Sequence, residues 1–283
     1  MLCAPQILPP AFSSCQDLKC PQQPHSVNPS LIIPILLLRC PYSYSPTKIM
    51  FLGIDVGYSQ VQRSTGVCAI RSDGKGLTSV HVRAGDTLEA IAAIIGDTIP
   101  KTIGINGPLI PDLNSFIFSP RYRVCEQNLS RGIILRRCKP GSSNSPRGIA
   151  LHRQTTKIAN WLRARFPLAP IVEVFPNAFL GVMADDSDFR FPILRRTKSD
   201  FFWQRTIRRN AGLDRLISSV FLTNVDQLKR RLRRIENHDE RAAATCAIAA
   251  KAAARKQCLR IVGDGAFLMP PKKFIQPWAH AYF

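Results

Sequence analysis

Asp55 closes the run Leu52-Gly-Ile-Asp-Val-Gly57, and Asn106 closes a near copy of it, Ile103-Gly-Ile-Asn-Gly107. Alternate side chains of a strand point to opposite faces, so Leu52, Ile54 and Val56 share one face while Gly53, Asp55 and Gly57 share the other. The second run repeats this, with Ile103 and Ile105 opposite Gly104 and Asn106. Each polar group therefore stands over a floor without side chains, which leaves room for something bulky and charged, such as a metal with a phosphate. The plainer reading is a strand end whose glycine starts a turn. Glu173, in Val172-Glu-Val-Phe-Pro176, sits between apolar neighbours; a buried carboxylate is costly without a metal or a cation, and the plainer reading gives it solvent or an arginine at a sheet edge. Asp239 belongs to Asn237-His-Asp-Glu240, whose spacing is that of a capping box at a helix start. Ala242, Ala243, Cys246 and Ala250 continue a small-residue face, which lets the helix approach a sheet closely and bring Asp239 within reach of Asp55.

Acids gathered from adjoining elements suit hard divalent ions such as Mg²⁺ or Mn²⁺, which take oxygen ligands. Two such ions can align an attacking water and stabilise a leaving oxygen in phosphodiester cleavage. The expectation is metal-assisted hydrolysis, with Asp55, Glu173 and Asp239 as catalytic acids and Asp55, Asn106, Glu173 and Asp239 around the metal.

The elements that position these groups follow from pattern. Strands are expected over Ile49–Val56, Thr65–Arg71 and Leu77–Arg83, the last two joined by the turn signal Ser72-Asp-Gly-Lys-Gly76. Asp86 is placed to cap a helix carrying Leu88, Ile91, Ala92 and Ile95, after which Lys101–Asn106 returns as a strand. A hairpin run followed by helix and strand predicts an α/β fold with a mixed sheet, because a parallel neighbour requires a crossover. Residues 108–145 read as a loop-rich insertion with a short helix near Arg121–Leu129. Helix is expected over Leu151–Phe166, a fifth strand over Ile171–Phe175, largely helical structure over 190–234, and an alanine-rich helix over Ala242–Ala254. Leu259–Val262 and Ala266–Met269 are candidates to close the sheet.

The chain has 283 residues and a formal charge of +20, with 45% hydrophobic residues. That composition fits a globular protein, and such an excess of cations concentrates anionic partners, nucleic acid first among them. Arg195, Arg196 and Lys198 surround Phe201-Phe-Trp203, and Arg230, Arg231, Arg233 and Arg234 follow; these cations can neutralise phosphates, and an exposed aromatic can stack on a base. Arg121 and Arg123, in the insertion, are further candidates for substrate contact. The nine cysteines form no CxxC pair, which argues against a zinc ribbon or disulfide framework and for a reducing cytoplasm. Residues 1–49 are rich in Pro, Ser and Gln, and their one apolar run, Leu31–Leu38, is too short and proline-broken to span a bilayer. They are read as a disordered extension upstream of a domain spanning 50–283, Met50 being a candidate natural start.

The ordered series Gly53-Ile-Asp-Val-Gly57, Ile103-Gly-Ile-Asn-Gly-Pro-Leu109, Arg123-Val-Cys-Glu-Gln-Asn-Leu129, Val172-Glu-Val-Phe-Pro176, Asn237-His-Asp-Glu-Arg241 and Ile261-Val-Gly-Asp-Gly265 resembles a predicted nuclease family of RNase H-like fold, catalogued as a domain of unknown function. The resemblance covers most of residues 50–272. It implies an RNase H-like mixed five-stranded sheet flanked by helices, a metal-dependent nuclease activity, and matches of Asp55, Glu173 and Asp239 to the family's acids. Two positions depart: the family's acid before Pro-Leu is Asn106, and the second acid expected after Asp239 falls on Ala242. Both losses lower the charge available to metals and favour an alternative, a catalytically weakened nucleic-acid-binding relic. A second alternative is an actin-like or sugar-kinase-type phosphotransferase, since Asp55-Val-Gly57 and Thr65-Gly66 also suit a phosphate-binding hairpin.

Overall fold

The computed structural model describes residues 49–58, 64–110, 123–190, 198–263 and 265–283. The expected N-terminal extension thus lies, but for Ile49, outside the described residues. The first strand, β1 (Ile49–Asp55), turns into β2 (Ser64–Arg71) and β3 (Leu77–Arg83). The β2–β3 turn is fixed by Asp73, which accepts from the backbone N–H of Lys75, and by Gly74 at φ +70°, a conformation that glycine adopts without a Cβ penalty. Helix α1 (Thr87–Ile95) then crosses to β4 (Ile99–Asn106). Asp86 precedes α1 as expected but makes no side-chain capping bond. The insertion contributes α2 (Val124–Leu129) and α3 (Gly132–Arg137) and leads into the 20-residue α4 (Pro146–Arg165). Ser145 caps α4 by accepting from Gly148 N, with Pro146 just inside the start.

After β5 (Ile171–Val174) come α5 (Pro176–Gly181), α6 (Lys198–Thr206), α7 (Gly212–Val220), α8 (Val225–Arg233) and α9 (His238–Ala254), then the hairpin β6 (Leu259–Gly263) and β7 (Gly265–Met269). The mixed sheet has seven strands in the order β3-β2-β1-β4-β5-β7-β6, not five. The difference is the final hairpin, which docks by pairing β7 parallel to β5.

Strand alternation sorts the core into two layers. Leu52, Ile54, Ile103 and Ile105 pack with Ile91 and Ile95 of α1 and Ile158 and Leu162 of α4 on one face. On the other face α9 lies over the sheet, and Phe202, Trp203, Leu216, Ile217 and Leu228 of α6–α8 gather around it. Phe202 and Trp203 are thus core residues, and only Phe201 of that trio is half-buried. Among the described residues no helix is long and apolar enough to cross a membrane.

Candidate functional site

Three glycines on three neighbouring strands decide where α9 rests. A Cβ on Gly53 would come 1.9 Å from the carbonyl oxygen of Ala243, one on Gly66 2.0 Å from that of Asp239, and one on Gly104 2.2 Å from that of Cys246. Gly53 and Gly104 are register partners, as are Asp55 and Gly66, so the bare positions form a continuous trough. The face that enters it is the small one: Ala243, Cys246, Ala247 and Ala250 are all fully buried. Backbone meets backbone, and the first turn of α9 is thereby held over the C-terminal end of β1.

Asp55 and Asn106 are themselves register partners across the parallel β1–β4 pair. Asn106 donates Nδ2–H to Asp55 Oδ1 at 2.5 Å. Asp239, buried in the first turn of α9, accepts from Ser64 Oγ, the hydroxyl that opens β2. Burial above all raises the Asp55 carboxyl from its ordinary 3.8 to about 6; the Asn106 hydrogen bond and the nearby His238 pull it down, and the charge on Asp239 pushes it up. Among the described residues neither acid is ion-paired to a lysine or arginine. The thiol of Cys246, beneath them, is pushed well above its usual range by burial and by the Asp55 charge. Asn237 caps α9 by accepting from the backbone N–H of Asp239 and Glu240, but the reciprocal half of the capping box is not made. Glu240 instead accepts from Ser79 Oγ and lies 3.1 Å from His81 Nδ1, both on β3.

Glu173 is differently placed. It is register-paired with Ile105, one step short of the Asp55–Asn106 level, and its carboxylate is bonded to a buried arginine. Arg123 Nη2 lies 2.5 Å from Glu173 Oε1, Nη1 donates to Oε2 at 3.1 Å, and Leu109 N donates to the same Oε2 at 2.9 Å. The guanidinium also donates Nε–H to Glu126 Oε1 at 2.9 Å, and Glu126 accepts further bonds from Ser143 N and Oγ. Arg123 and Glu126 are wholly inaccessible to solvent. Burial pulls the guanidinium toward neutrality, but Glu173 and then Glu126 outweigh it and hold Arg123 protonated. Burial pushes the Glu173 carboxyl upward against the opposing pull of Arg123. The partner that a buried Glu173 demands is therefore an arginine. Arg123, expected as a substrate contact, is inside the protein because two acids draw it there.

The Asp55–Asn106 end opens into a cleft of about 230 Å³. Its walls include Lys139 and Gly141 of the insertion, Phe175 between β5 and α5, and His238 of α9. His238 escapes sequence reading because a single histidine at a helix start carries no periodic signal; its place next to Asp239 was the available clue. Its Nδ1 lies 2.8 Å from Ser199 Oγ and 3.5 Å from Asp200 Oδ1. Among the described residues no group of three His, Cys, Asp or Glu side chains is close enough to hold a metal ion.

Of the expected phosphate contacts, Arg121, Arg195 and Arg196 lie outside the described residues. Lys198 donates to the carbonyl of Arg137 at 3.3 Å. On α8, Arg233 pairs with Asp214 at 2.5 Å and Arg231 donates to the carbonyl of Lys75, while Arg230 and, just past the helix, Arg234 are exposed. Comparison of this chain with protein-family models, with curated proteins and with solved structures finds no match.

Proposed function

We propose that the protein is a divalent-metal-dependent hydrolase of nucleic-acid phosphodiesters, built on an RNase H-like sheet, with its reacting centre at the Asp55 end of the cleft. The fold reading is supported by the run β1-β2-β3 followed by a helical crossover to β4, parallel to β1, and then β5. The observation that carries the function is Asp55 with Asn106 at a cleft, with Asp239 near enough behind it for its charge to raise the Asp55 carboxyl and no lysine or arginine ion-paired to either acid among the described residues. Two acids held so that one raises the pKa of the other are costly to keep ionised without a cation.

The donor set fits one hard ion. Asp55 and Asp239 supply carboxylate oxygens and Asn106 an amide carbonyl, with water completing a shell of the kind Mg²⁺ or Mn²⁺ takes. It does not fit the three-acid arrangement expected from the resemblance, because both oxygens of Glu173 are taken by Arg123. Glu173 is thus a positioning residue: it anchors Arg123 and, through Leu109 N, the segment that follows Asn106. When bound, a divalent ion supplies positive charge against the developing charge on a phosphate. Asp55 and Asp239 would hold that charge at the sheet end, Ser64 fixes Asp239, and Lys139, which also lines the cleft, would attract the phosphate.

The test is Mn²⁺ calorimetry, followed by cleavage of labelled DNA and RNA with and without Mn²⁺. Binding that Asp55→Asn abolishes, together with metal-dependent cleavage lost in the same variant, supports the reading. Full activity in Asp55→Asn would move the reacting centre elsewhere. The relic alternative has its own support in the Arg123–Glu173 pair, Asn106 and Ala242, and predicts nucleic-acid binding without cleavage. The phosphotransferase alternative calls for a second phosphate loop and is read out by nucleotide-dependent thermal stabilisation.

A further inference from the structure

Positive charge is distributed unevenly along the chain. From Gln127 to Val172 the sequence holds nine Lys and Arg and no Asp or Glu. Nearly half of the net +20 therefore falls in about a sixth of the length. Most of this arc is α4 and the loop that leads into it. The buried side of α4, His152, Thr155, Ile158, Ala159 and Leu162, is packed on the sheet. Its other side carries Arg153, Lys157, Trp161 and Arg165 at steps of four residues, a ridge along one face that rises ~6 Å per step. Arg147 and Arg163 are exposed beside it. Arg165 lies over the half-buried Trp161 ring at 5.6 Å.

Two features make this ridge costly for the protein alone. Like charges four residues apart repel one another, and Arg147 sits in the first turn, where the helix dipole favours an anion and where α4 has no acid. Among the described residues none of these α4 cations is ion-paired to a carboxylate. On α8, by contrast, Arg233 and Lys229 are both committed to Asp214. The N-terminal part of α4 also reaches the cleft: Leu151, on the packed side of the helix, lines it together with Lys139 and Gly141 from the preceding loop.

We infer that the exposed face of α4 is the track along which a nucleic-acid strand is held into the cleft, its phosphates on Arg147, Arg153, Lys157, Arg163 and Arg165. The inference rests on the proposed nucleic-acid substrate and gives that substrate a path. The half-buried Trp161 indole between cations leaves part of its ring for a base to stack on while the backbone follows the charge.

The experiment measures binding of a labelled single-stranded DNA oligonucleotide by anisotropy over a salt series, in EDTA, so that cleavage plays no part. The full-length chain is compared with a variant carrying Arg147→Gln, Arg153→Gln, Lys157→Gln, Arg163→Gln and Arg165→Gln. Releasing counterions from five phosphates contributes a slope of about 3.5 in log affinity against log salt. The variant should lose a slope of that size, and with it about a hundredfold of the weakening between 50 and 200 mM salt. The control has the same loss of charge at exposed sites elsewhere: Arg208→Gln, Arg209→Gln, Arg215→Gln, Lys272→Gln and Lys273→Gln. An unchanged slope in the α4 variant, or an equal drop in the control, overturns the track. So does wild-type binding to phosphatidylserine vesicles but not to the oligonucleotide. If the fivefold variant fails to melt cooperatively, Arg147→Gln with Arg153→Gln and Lys157→Gln should still remove a slope of about 2. Salt-dependent binding through α4 without any cleavage would sink the hydrolase and leave the track standing.

Discussion

Replacing Asp55 by asparagine should make the protein more stable at alkaline pH. The amide keeps an acceptor for the Asn106 Nδ2–H and removes a charge that the folded state holds at a disadvantage. The carboxyl is raised from 3.8 to about 6, so the folded chain binds this proton more tightly than the unfolded chain does. Stability from this group is complete below the unfolded value and is lost as pH rises through the folded one. The interval corresponds to about 3 kcal/mol above pH 7 and about 1 kcal/mol at pH 4.5. Urea denaturation at pH 8 should therefore show Asp55→Asn ahead by up to about 3 kcal/mol, roughly 6 to 12 °C in Tm, and the lead should shrink by about 2 kcal/mol at pH 4.5. Saturating Mg²⁺ should stabilise the wild type and leave the variant unmoved, closing the gap at pH 8. A variant less stable than wild type at both pH values, or ahead by the same amount at both, would refute the account of Asp55 as a carboxylate kept against its own burial.

Arg123→Met should cost about 3 to 5 kcal/mol in urea titrations, because it leaves Glu173 and Glu126 buried beside each other without their shared cation; a loss under 1 kcal/mol would mean water replaces the guanidinium. Gly104→Ala should cost at least about 1 to 3 kcal/mol, since its Cβ would meet the backbone of α9 at 2.2 Å, whereas Gly85→Ala, with nothing within 4 Å, should be close to neutral in the same melt. Asn106→Asp should tighten Mn²⁺ binding about tenfold in calorimetry, an extra carboxylate contributing roughly 1.4 kcal/mol after desolvation; unchanged binding would show that residue 106 does not face the ion.

The parts of the molecule legible in its sequence are those set by short-range repetition. Strand alternation alone put Asp55 and Asn106 on the same side as Gly53 and Gly104, and the alanine and cysteine face of α9 announced a close approach that the glycine trough accommodates. Glu173 was recognisable as a carboxylate in need of a partner, but the partner lies 50 residues away in sequence, in an insertion with no period to betray it. Arg123 reads as surface because arginines mostly are; Glu126, three residues on, is a local partner visible in the sequence, but nothing nearby signals that Glu173 joins it to bury the guanidinium. Glu240 matched a capping box by spacing; the hydroxyl of Ser79 on β3, a tertiary neighbour, offered a competing partner. The final hairpin was visible as two short apolar runs, yet its pairing with β5 depends on contact across almost a hundred residues.

The glycine trough fixes a distance as well as a position. Because backbone meets backbone there with no side chains between them, the spacing of Asp239 from Asp55 is set by van der Waals contact of main-chain atoms and not by the rotamers of intervening side chains. Repacking the side-chain core beneath α1 or around α6–α8 should therefore change the melting point without changing the gap between the two acids. A mutational library would find the same asymmetry. Large residues around the site would prove negotiable, and three positions with no side chain at all would prove the least replaceable.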